Sequence, residues 1–362
     1  MDNSIQILSE KVSLIASNKT WIDGLAIEQL EGTAELPNMV KVVGMPDLHP
    51  RKGYPIGAAY LSREIIYPAL IGSDIGCGMG FWQTDISIAK LSIDKLTRQI
   101  GNIDQPDTRH KYNLGTIGGG NHFAELQKVS KIFNKQLFEH YQLDAKKLFL
   151  LVHSGSRGLG HAILQNQISR FGYQGLADES PEAHEYLVKH DNAVAFAMLN
   201  RQVIAERLLN NLNSHGRELL NVCHNFLQKV TLDHNDYWLH RKGASSALDE
   251  LVIVPGSRGD YSYLVKPIQN EALLLSLAHG AGRKWRRADC KSKLDTRYTI
   301  AELKRTKLGS RVICEDSRLI FEEAPQAYKS IDSVIESMQQ ANIVTVIAQL
   351  TPILNYKTQG GH

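Results

Sequence analysis

The segment Ile71–Gly80, IGSDIGCGMG, places a carboxylic acid and a thiol three residues apart among four glycines. Apolar, β-rich residues precede it in Ile65–Leu70 and follow it in Phe81–Ile86, so we expect a sharp turn between two strands. Such a turn can direct the side chains of Asp74 and Cys77 to one point. A carboxylate and a thiolate repel each other there unless a cation lies between them, which predicts a metal site. The simpler alternative is a glycine-rich turn with a structural cysteine and a turn-forming aspartate.

Length and composition are those of an ordinary globular protein. The 362 residues are 43% hydrophobic, which is enough for a substantial core, and without repeats or a linker they predict one domain over residues 1–362. The formal net charge of +3 permits a nucleic-acid partner but provides no global basic field, so phosphate recognition must be local. Four cysteines without a CxxC pair favour a reducing cytosol. We find no signal peptide and no apolar run of membrane-spanning length, so we expect a soluble, cytoplasmic protein.

Histidines in later segments can complete a metal site. In Leu114–Gln127, His122 follows a run of three glycines that can bring backbone N–H groups close to a phosphate, or form a flexible linker with a surface histidine. A helix beginning there would place His122 and Glu125 on one face. His153 follows the apolar strand predicted over Lys147–Val152 and opens a glycine-rich loop of the kind that often carries catalytic residues.

A third histidine lies in the helical part of the sequence. A long helix is predicted over Pro181–Asn213, and the simplest interpretation of its polar residues, among them Asn200 and Arg201, is a solvated face. A second predicted helix, Glu218–Lys229, contains His224. A lone histidine on a helix is more often structural than a ligand, but the other ligand-type residues of this chain favour a metal ligand here.

Basic residues gather in three loops. The segment PDLHPRKGYPIG, with Asp47 and His49, is too rich in proline and glycine for regular structure, and we expect it to border the metal pocket, a plain turn being the alternative. The segment WLHRKGASSAL contains Arg241 and Lys242, which suit a phosphate or RNA backbone, or form an ordinary basic hairpin. In HGAGR, His279 is predicted at a helix N-terminus, beside backbone donors and cations that suit a phosphate.

Eight segments of this chain, in order, resemble the RtcB family of RNA ligases: PDLHPRKGYPIG, DIGCG, LGTIGGGNHF, HSGSRGLGH, CHNF, HRKGA, PGSRG and HGAGR. The resemblance covers about residues 43–282 and extends to Lys357, in a chain shorter than the best-known members. It implies an α+β fold, a single domain with mixed β-sheets and surrounding helices around a central metal and nucleotide cleft.

The resemblance also implies an activity and its residues. Members join an RNA 3′-phosphate or 2′,3′-cyclic phosphate end to a 5′-hydroxyl end, with GTP and two Mn²⁺ ions. His279 would attack GTP to form a covalent histidine–GMP, and GMP would then pass to the RNA as RNA(3′)pp(5′)G. The implied metal ligands are Asp74, Cys77, His122, His153 and His224, with Cys77 bridging the two ions. The implied guanylate site is Asn121, His122, Phe123, Ala124, Glu125, His224, Asn225, Pro255, Gly256, Ser257, Arg258, Ser262, His279, Gly280, Ala281, Gly282 and Lys357. The candidates for gripping phosphates are Arg157, Arg241, Lys242 and Arg283.

The chemistry of these residue types agrees with that assignment. Imidazole, carboxylate and thiolate together suit Mn²⁺ or Zn²⁺ better than Mg²⁺, which prefers oxygen. A neutral histidine can attack phosphorus without first losing a proton, unlike a lysine. Without the resemblance, the residues alone predict only a metal-dependent enzyme that acts on a phosphate-rich substrate.

Three departures from the family pattern concern the surroundings of the site. Met79-Gly80 follows DIGCG where typical members have Val-Arg, so a cation near the metals is missing. Ser245-Ser246 replaces Thr-Arg, and Thr358 rather than glycine follows Lys357. Because every metal and nucleophile position is present, we expect the protein to be catalytically active. From the departures we expect specialised repair of damaged tRNA or rRNA rather than housekeeping tRNA splicing.

Two alternatives remain for the function. A two-metal phosphohydrolase could use the same Asp, Cys and His pocket without a nucleotide intermediate, although the histidine of HGAGR would then have no task. A catalytically silent RNA-binding or metal-sensing protein would be favoured by the loss of a metal ligand or of His279, and neither is lost. RNA is the expected partner in both the ligase and the silent alternative, and the sequence identifies no activating protein.

Overall fold

The computed structural model describes residues 4–107 and 112–358, which form eighteen strands and ten α-helices. The strands are β1 (Ile5–Ile7), β2 (Val12–Ile15), β3 (Met39–His49), β4 (Ile56–Ser62), β5 (Ile65–Ile66), β6 (Gly78–Ser87), β7 (Phe123–Ile132), β8 (Lys147–Ser154), β9 (Leu176–Ala177), β10 (Gly216–Cys223), β11 (Asn225–Leu232), β12 (Asn235–Lys242), β13 (Ala244–Ser246), β14 (Val252–Pro255), β15 (Ser262–Pro267), β16 (Ser276–Ala278), β17 (Arg311–Cys314) and β18 (Val344–Thr358). The helices are α1 (Gly24–Ala34), α2 (Pro68–Ile71), α3 (Ile93–Ile100), α4 (Lys135–His140), α5 (Gly158–Phe171), α6 (Pro181–Asn211), α7 (Arg287–Leu294), α8 (Ile300–Leu303), α9 (Ser317–Glu322) and α10 (Ile331–Gln340).

Two large sheets carry the architecture. The first has the order β1-β2-β3-β4-β12-β11, and the second has the order β10-β6-β8-β7-β18-β15-β14, with β17 beside β18. The pairs β2–β3 and β17–β18 are parallel and the other pairs are antiparallel, so both sheets are mixed. The predicted α+β fold with mixed sheets and surrounding helices is therefore confirmed, whereas the division into one domain stays a prediction.

The apolar residues of strand β8 pack into hydrophobic clusters on both faces of the sheet. Its side chains alternate between two sides of the sheet, as the two-residue period of a strand requires. Leu148 and Leu150 pack into the cluster that holds Ile204 of α6, whereas Phe149 joins the opposite cluster, in which it stacks on Phe81 with ring centroids 5.3 Å apart. An uninterrupted apolar run thus marks a strand that is covered on both faces.

Several helix boundaries follow from capping residues. Helix α3 begins after Ser92, whose side chain accepts from the backbone N–H of Lys95. Helix α6 begins after Ser180, with Pro181 in its first turn, and ends two residues before the predicted boundary. Among the described residues, no helix combines the length and the apolar character needed to cross a membrane.

Four sequence-based assignments are wrong. The predicted helix Glu218–Lys229 is two strands, β10 and β11, because its Leu, Val and Phe residues pair with β6 and β12 and the apparent helical spacing is coincidental. No helix follows His122, since β7 begins at Phe123. The strand expected over Ile65–Leu70 gives way at Pro68 to α2.

The fourth wrong assignment concerns PDLHPRKGYPIG. Strand β3 continues through Asp47 to His49, where irregular structure was expected. Proline is tolerated at position 46 because the ladder between β3 and β4 is interrupted between Gly44 and His49, so Pro46 removes no hydrogen bond from that ladder.

Candidate metal centre and nucleotide cleft

A cavity of about 1210 Å³ opens where the two large sheets face each other. The first sheet contributes residues such as His49 of β3 and Lys242 of β12, and the second contributes residues such as His153 of β8 and Lys357 of β18. Both the predicted metal ligands and the predicted nucleophile lie on its wall. The cavity is therefore the candidate site.

The five predicted metal ligands come together at the floor of this cavity. The Sγ atom of Cys77 lies 3.3 Å from Nε2 of His122 and 3.2 Å from Nε2 of His153. Nε2 of His153 lies 3.4 Å from Nε2 of His224, and Oδ2 of Asp74 lies 2.9 Å from Nε2 of His122. The donor atoms of Cys77, His122 and His153 all lie within 4.8 Å of one another. Cys77 stands between the other donors, as a bridging thiolate would.

Burial leaves two of these donors, His153 and His224, in the neutral state that a cation requires. Burial and the neighbouring histidines hold the pKa values of His153 and His224 well below the ordinary range, so both imidazoles are neutral and keep a free lone pair. Nδ1 of His153 lies 3.2 Å from the carbonyl oxygen of Asn121, to which it donates, and this leaves Nε2 for a metal. Burial and Asp74 raise the pKa of the Cys77 thiol, and a bound metal ion would deprotonate it.

The donor set therefore fits a divalent transition ion. Within the described part of the chain, Nδ1 of His224 is buried without a hydrogen-bond partner. Three imidazole nitrogens together with a thiol and a carboxylate favour Mn²⁺ or Zn²⁺ over Mg²⁺.

The glycine turn positions Asp74 and Cys77 through backbone contacts. The backbone N–H of Cys77 donates to the carbonyl oxygen of Asp74, and the carbonyl oxygen of Cys77 accepts from the N–H of His224 at 2.8 Å. Asn225 donates through Nδ2 to the carbonyl oxygen of Asp74 and accepts through Oδ1 from the N–H of Gly243. Gly155 leaves room for the Asp74 carboxylate, which a Cβ at that position would overlap. The glycine turn thus brings the side chains of Asp74 and Cys77 to the same imidazole, that of His122, and their joint binding of a metal stays a prediction.

Gly78 allows the closest backbone approach at the site. A Cβ at Gly78 would overlap the carbonyl oxygen of Val222 and lie 2.8 Å from Cα of Cys223. We expect Gly78→Ala to lower the free energy of unfolding by roughly 3 kcal/mol, because backbone atoms cannot move aside as a flexible side chain can. Urea denaturation followed by circular dichroism measures the change. Gly32→Ala is the matched control: a Cβ there meets nothing within 4 Å, and in helix α1 alanine is expected to add about 0.5–1 kcal/mol. Equal stabilities of the two variants would contradict this account.

His279 lies beside the metal ligands without belonging to them. Its ring centroid is 4.5 Å from that of His224. Its Nδ1 lies 2.6 Å from Oδ2 of Asp47, a carboxylate that is completely buried and that also accepts from the backbone N–H of His279 at 3.3 Å. Nδ1 therefore faces Asp47, and Nε2 is the nitrogen left for chemistry.

The surroundings of His279 differ from the sequence-based expectation. His279 follows strand β16 and is not at a helix N-terminus, since the next helix, α7, begins at Arg287. The sequence placed Asp47 near the pocket, but its pairing with His279 was not predicted. Lys329 fixes this region by donating to the carbonyl oxygens of Pro46 and Leu48 at 3.0 and 2.7 Å.

Two of the three glycines before Asn121 lie close to cationic side chains. Gly118 and Gly120 both have positive φ values, +92° and +70°. A Cβ at Gly118 would overlap the guanidinium of Arg157, and a Cβ at Gly120 would lie 2.6 Å from NH1 of Arg287. Lys357 donates to the carbonyl oxygens of Gly120 and His122 at 3.0 and 3.1 Å. The loop is thus held over basic side chains at the edge of the cavity, which disfavours the flexible-linker interpretation.

Most residues of the predicted guanylate site line the cavity. They are Asn121, His122, Phe123, His224, Asn225, Pro255, Gly256, Ser257, Arg258, His279, Gly280, Ala281, Gly282 and Lys357. Ala124, Glu125 and Ser262 are buried behind that wall. Gln127 donates to both Glu125 and Ser262, and burial raises the pKa of Glu125 to about 7. In this structure these three residues do not line the cavity and instead pack behind the residues that do.

The residues predicted to bind phosphates differ in whether they line the cavity. Arg157, Lys242 and Arg283 line the cavity, and NH1 of Arg157 lies 3.1 Å from Nδ1 of His122. Arg241 does not line it: its guanidinium is fully buried and donates to Ser276, Gln228 and the carbonyl oxygen of Leu275. The prediction that Arg241 binds a phosphate is therefore wrong. Successive residues of β12 point to opposite faces of the sheet, so Lys242 faces the cavity and Arg241 does not.

Glu323, which the sequence analysis did not identify, pairs with two arginines at the cavity, Arg283 and Arg287. Glu323 is 3% exposed and lies 3.1 Å from NH1 of Arg283 and 3.5 Å from NH2 of Arg287. Burial raises the pKa of Glu323, but Lys357, Arg287 and Arg283 outweigh it and bring the value to about 2. Tyr328 donates to the same carboxylate. Nothing in the sequence around Glu323 marks this role, since the residue follows an ordinary short helix.

The departure at Met79-Gly80 has a local reason. Both residues lie in β6, and the ring of Trp82 covers Gly80 so closely that a Cβ would lie 2.6 Å from one of its carbons. No cation comes from this strand, as expected. Arg157 instead approaches the metal ligands from the loop before α5.

Comparisons with known proteins agree along the whole chain. A family model described as tRNA-splicing ligase RtcB matches residues 29–105 and 101–358. The RNA-splicing ligase RtcB2 of Escherichia coli is 51% identical over 376 residues, covering 100% of this chain and 99% of that protein. The RNA-splicing ligase RtcB1 of the same strain is 28% identical over 417 residues, covering 94% and 97%. The tRNA-splicing ligase RtcB of Nanoarchaeum equitans is 29% identical over 430 residues, covering 90% of each chain.

The alignment lengths show that two of these relatives contain segments that this chain lacks. The alignments with RtcB1 and with the Nanoarchaeum equitans protein span more positions than the 362 residues present here, so both proteins carry insertions relative to this chain. The alignment with RtcB2 is only slightly longer than the chain.

Proposed function

This chain belongs to the RtcB family, and we propose that it is an RNA ligase that uses GTP and Mn²⁺ to join 3′-phosphate or 2′,3′-cyclic phosphate ends to 5′-hydroxyl ends. One observation supports this proposal most directly. A histidine outside the ligand cluster, His279, lies with its ring 4.5 Å from that of His224 and has a buried carboxylate behind it. A hydrolase that only activates water would have no use for such a group.

The proposed metal ligands form two sets, each of which would hold one ion. Asp74, Cys77 and His122 would hold one ion, and Cys77, His153 and His224 would hold the other, since these are the donors that approach one another. When bound, such ions neutralise phosphate charge and favour in-line displacement at phosphorus. The protein holds the donors in place before an ion arrives, through the backbone contacts of the glycine turn.

His279 would perform the first chemical step. Nε2 attacks the α-phosphorus of GTP, so that an N–P bond forms while the bond from the α-phosphorus to the bridging oxygen breaks, and pyrophosphate leaves. Asp47 faces Nδ1 and stabilises the positive charge that the ring acquires as the bond forms. Glycines at positions 280 and 282 keep the backbone close to this histidine, and a Cβ at Gly282 would overlap the carbonyl oxygen of Asp47.

The RNA would then react twice. An oxygen of the RNA 3′-phosphate attacks the phosphorus on His279, which breaks the N–P bond and gives RNA(3′)pp(5′)G. The 5′-hydroxyl of the second strand attacks the RNA phosphorus of this anhydride, a 3′,5′-phosphodiester forms, and GMP leaves with its phosphate. A cyclic phosphate end must first be opened by water to the 3′-phosphate.

Two groups of cations in the cavity lining suit the two substrates. Arg258, Lys357 and the two arginines that Glu323 partly neutralises form one group, which suits the guanylate. Arg51 and Lys242 form the other group, beside Tyr54, with Nζ of Lys242 5.9 Å from the centroid of the Tyr54 ring. No acidic group acts on Arg51 or Lys242 within the described part of the chain. Unpaired cations beside an aromatic ring suit a single strand of RNA, whose phosphates and bases they can contact.

Lys242 makes the binding of RNA sensitive to pH. Burial and Arg51 lower the pKa of Lys242 to about 8, so its charge is present at pH 7 and lost as pH rises through about 8. We expect the affinity for a fluorescent RNA with a 3′-phosphate, measured by anisotropy without GTP, to fall between about threefold and tenfold from pH 7 to pH 9. Lys242→Arg should flatten that dependence, because arginine keeps its charge. The same slope in the Lys242→Arg variant would show that another group titrates.

The test of the proposed function uses the purified protein with α-labelled GTP and Mn²⁺, followed by mass mapping and by ligation of a matched pair of RNA ends. A GMP adduct on His279 together with ligation supports the proposal. Release of phosphate from the RNA end without an adduct would favour the two-metal phosphohydrolase. RNA binding with neither reaction would favour the silent binding protein.

Specialised RNA repair, of damaged tRNA or rRNA, is the role we propose within this chemistry, with tRNA splicing as the alternative. The sequence departures at Met79-Gly80 and Ser245-Ser246 support it, because they change the surroundings of the site and leave the ligands in place. The four cysteines, all free, fit the reducing environment of the cytoplasm, where we propose that the protein works.

A further inference from the structure

Arg201 of helix α6 is a buried cation at the back of the metal centre. Its side chain is 0% exposed, although the sequence suggested a solvated position. No carboxylate neutralises it among the residues that the structure describes. Instead its guanidinium donates to the carbonyl oxygen of Gly76 at 2.8 Å, the carbonyl oxygen of Ser154 at 2.9 Å, Oδ1 of Asn221 at 2.7 Å and Sγ of Cys223 at 3.4 Å.

Three of these four acceptors are chain neighbours of metal ligands. Gly76 immediately precedes Cys77, Ser154 immediately follows His153, and Cys223 immediately precedes His224. The three segments belong to different strands or turns, far apart in the sequence. A planar guanidinium with donors in a fixed fork can set the relative positions of three such groups, whereas an ammonium group cannot reproduce that geometry.

The neighbouring residue extends the same arrangement. Asn200 is also fully buried, donates to Oγ of Ser154 at 2.9 Å and accepts from the backbone N–H of Gly115 at 2.7 Å. Helix α6 approaches Gly76 so closely that a Cβ there would lie 2.8 Å from Cβ of Ala197. The helix thus presents small residues for close contact and two polar residues for hydrogen bonds to the ligand-bearing segments.

Packing alone does not require a charged group at this position. Burying a guanidinium without an acidic partner costs free energy, and an apolar side chain of similar volume avoids that cost. Arg241 offers a comparison within the same chain: it is equally buried and makes three hydrogen bonds, but none of its acceptors is adjacent to a metal ligand.

We propose that Arg201 is a positioning residue that sets the spacing of Cys77, His153 and His224 through hydrogen bonds to their chain neighbours. The inference rests on the metal site of the proposed function and is independent of the ligase reaction. Arg201 does not touch a substrate or a metal. It acts through the three segments that it joins.

Co²⁺ is the probe that tests this proposal, because its d–d and thiolate-to-metal absorption bands report coordination geometry. We expect Arg201→Lys to fold, as judged by circular dichroism, to bind Co²⁺ about 10- to 100-fold more weakly and to show an altered thiolate band. Arg241→Lys is the matched control, with a lower melting temperature and the wild-type Co²⁺ spectrum. Native affinity and spectrum in Arg201→Lys would overturn the proposal, because charge alone would then suffice.

A second variant covers the case in which Arg201→Lys does not fold. Asn221→Leu removes the acceptor of Nε while leaving the guanidinium in place, on a strand residue that is only partly buried. We expect a smaller change of the Co²⁺ spectrum in the same direction, and an unchanged spectrum would overturn the proposal. If the wild-type protein itself bound no Co²⁺, Zn²⁺ or Mn²⁺, the metal site of the proposed function would fail, and that outcome is distinct from a normal wild type with normal variants.

Discussion

Replacing His279 by alanine is expected to abolish the covalent GMP adduct while leaving the last step of ligation intact. The ring of His279 lines the cavity with a buried carboxylate, Asp47, behind it, whereas His122, His153 and His224 belong to the ligand cluster. Without that nucleophile the rate of guanylylation should fall by at least roughly 10³-fold. RNA that already carries a 3′pp5′G end bypasses His279, and the variant should seal it.

Two assays separate these steps. The first follows labelled GMP on the protein after denaturation, and the second follows joining of synthetic RNA(3′)pp(5′)G to a 5′-hydroxyl strand. His161→Ala is the matched control, because this histidine lines the same cavity but is exposed. Retained labelling in His279→Ala would place the nucleophile elsewhere. Loss of sealing of the preactivated RNA would mean that His279 also serves the final step.

Replacing Cys77 by serine is expected to remove bound metal and, with it, both chemical steps. The thiol lies 3.3 and 3.2 Å from two imidazoles that belong to different proposed ions, so its loss affects both ions. A serine hydroxyl is far less acidic than a thiol and a poor ligand for a soft-leaning site, so it does not replace the bridge. We expect a loss of about 10³-fold or more in guanylylation and in sealing of preactivated RNA.

This prediction is tested by measuring the metal content of dialysed protein by mass spectrometry. The guanylylation assay and the sealing assay described above complete the test. Cys314→Ser is the matched control: that thiol is buried as well, but it donates to the carbonyl oxygen of Asp316, which a hydroxyl can also do. A Cys77→Ser protein with full metal content and normal rates would exclude the bridging role. Loss of sealing but not of guanylylation would show that the two steps depend on different ions.

The sequence indicated the site more completely than the fold around it. Glycines on both sides of Asp74 and Cys77 predicted a turn, and that prediction depends only on local backbone geometry. His224 was expected on a helix because the apolar residues around it repeat at a spacing that resembles a helix. Pairing makes this segment two strands: β10 pairs with β6, which is distant in sequence, and β11 forms a hairpin with β12.

Residues that act across the fold could not be found from local patterns. The pairing of Asp47 with His279 joins positions 232 residues apart. Arg201 and Glu323 stand in stretches whose composition is typical of solvated helices, and only the tertiary structure buries them. Arg241 shows the converse, since a charged residue in a basic run was a reasonable phosphate ligand until the strand register turned it inward.

Strand β18 has a consequence for the order in which the protein can assemble. It spans fifteen residues and lies inside the larger sheet, between β7 and β15, with Lys357 near its end. It is also the last strand in chain order among the eighteen of the described residues, so a ribosome makes it after both of its neighbours. Until β18 is inserted, the larger sheet is divided and two strand edges are unprotected. The part of the cavity that Lys357 lines can therefore form only late in synthesis, so the proposed nucleotide site stays incomplete in a growing chain until β18 has been made.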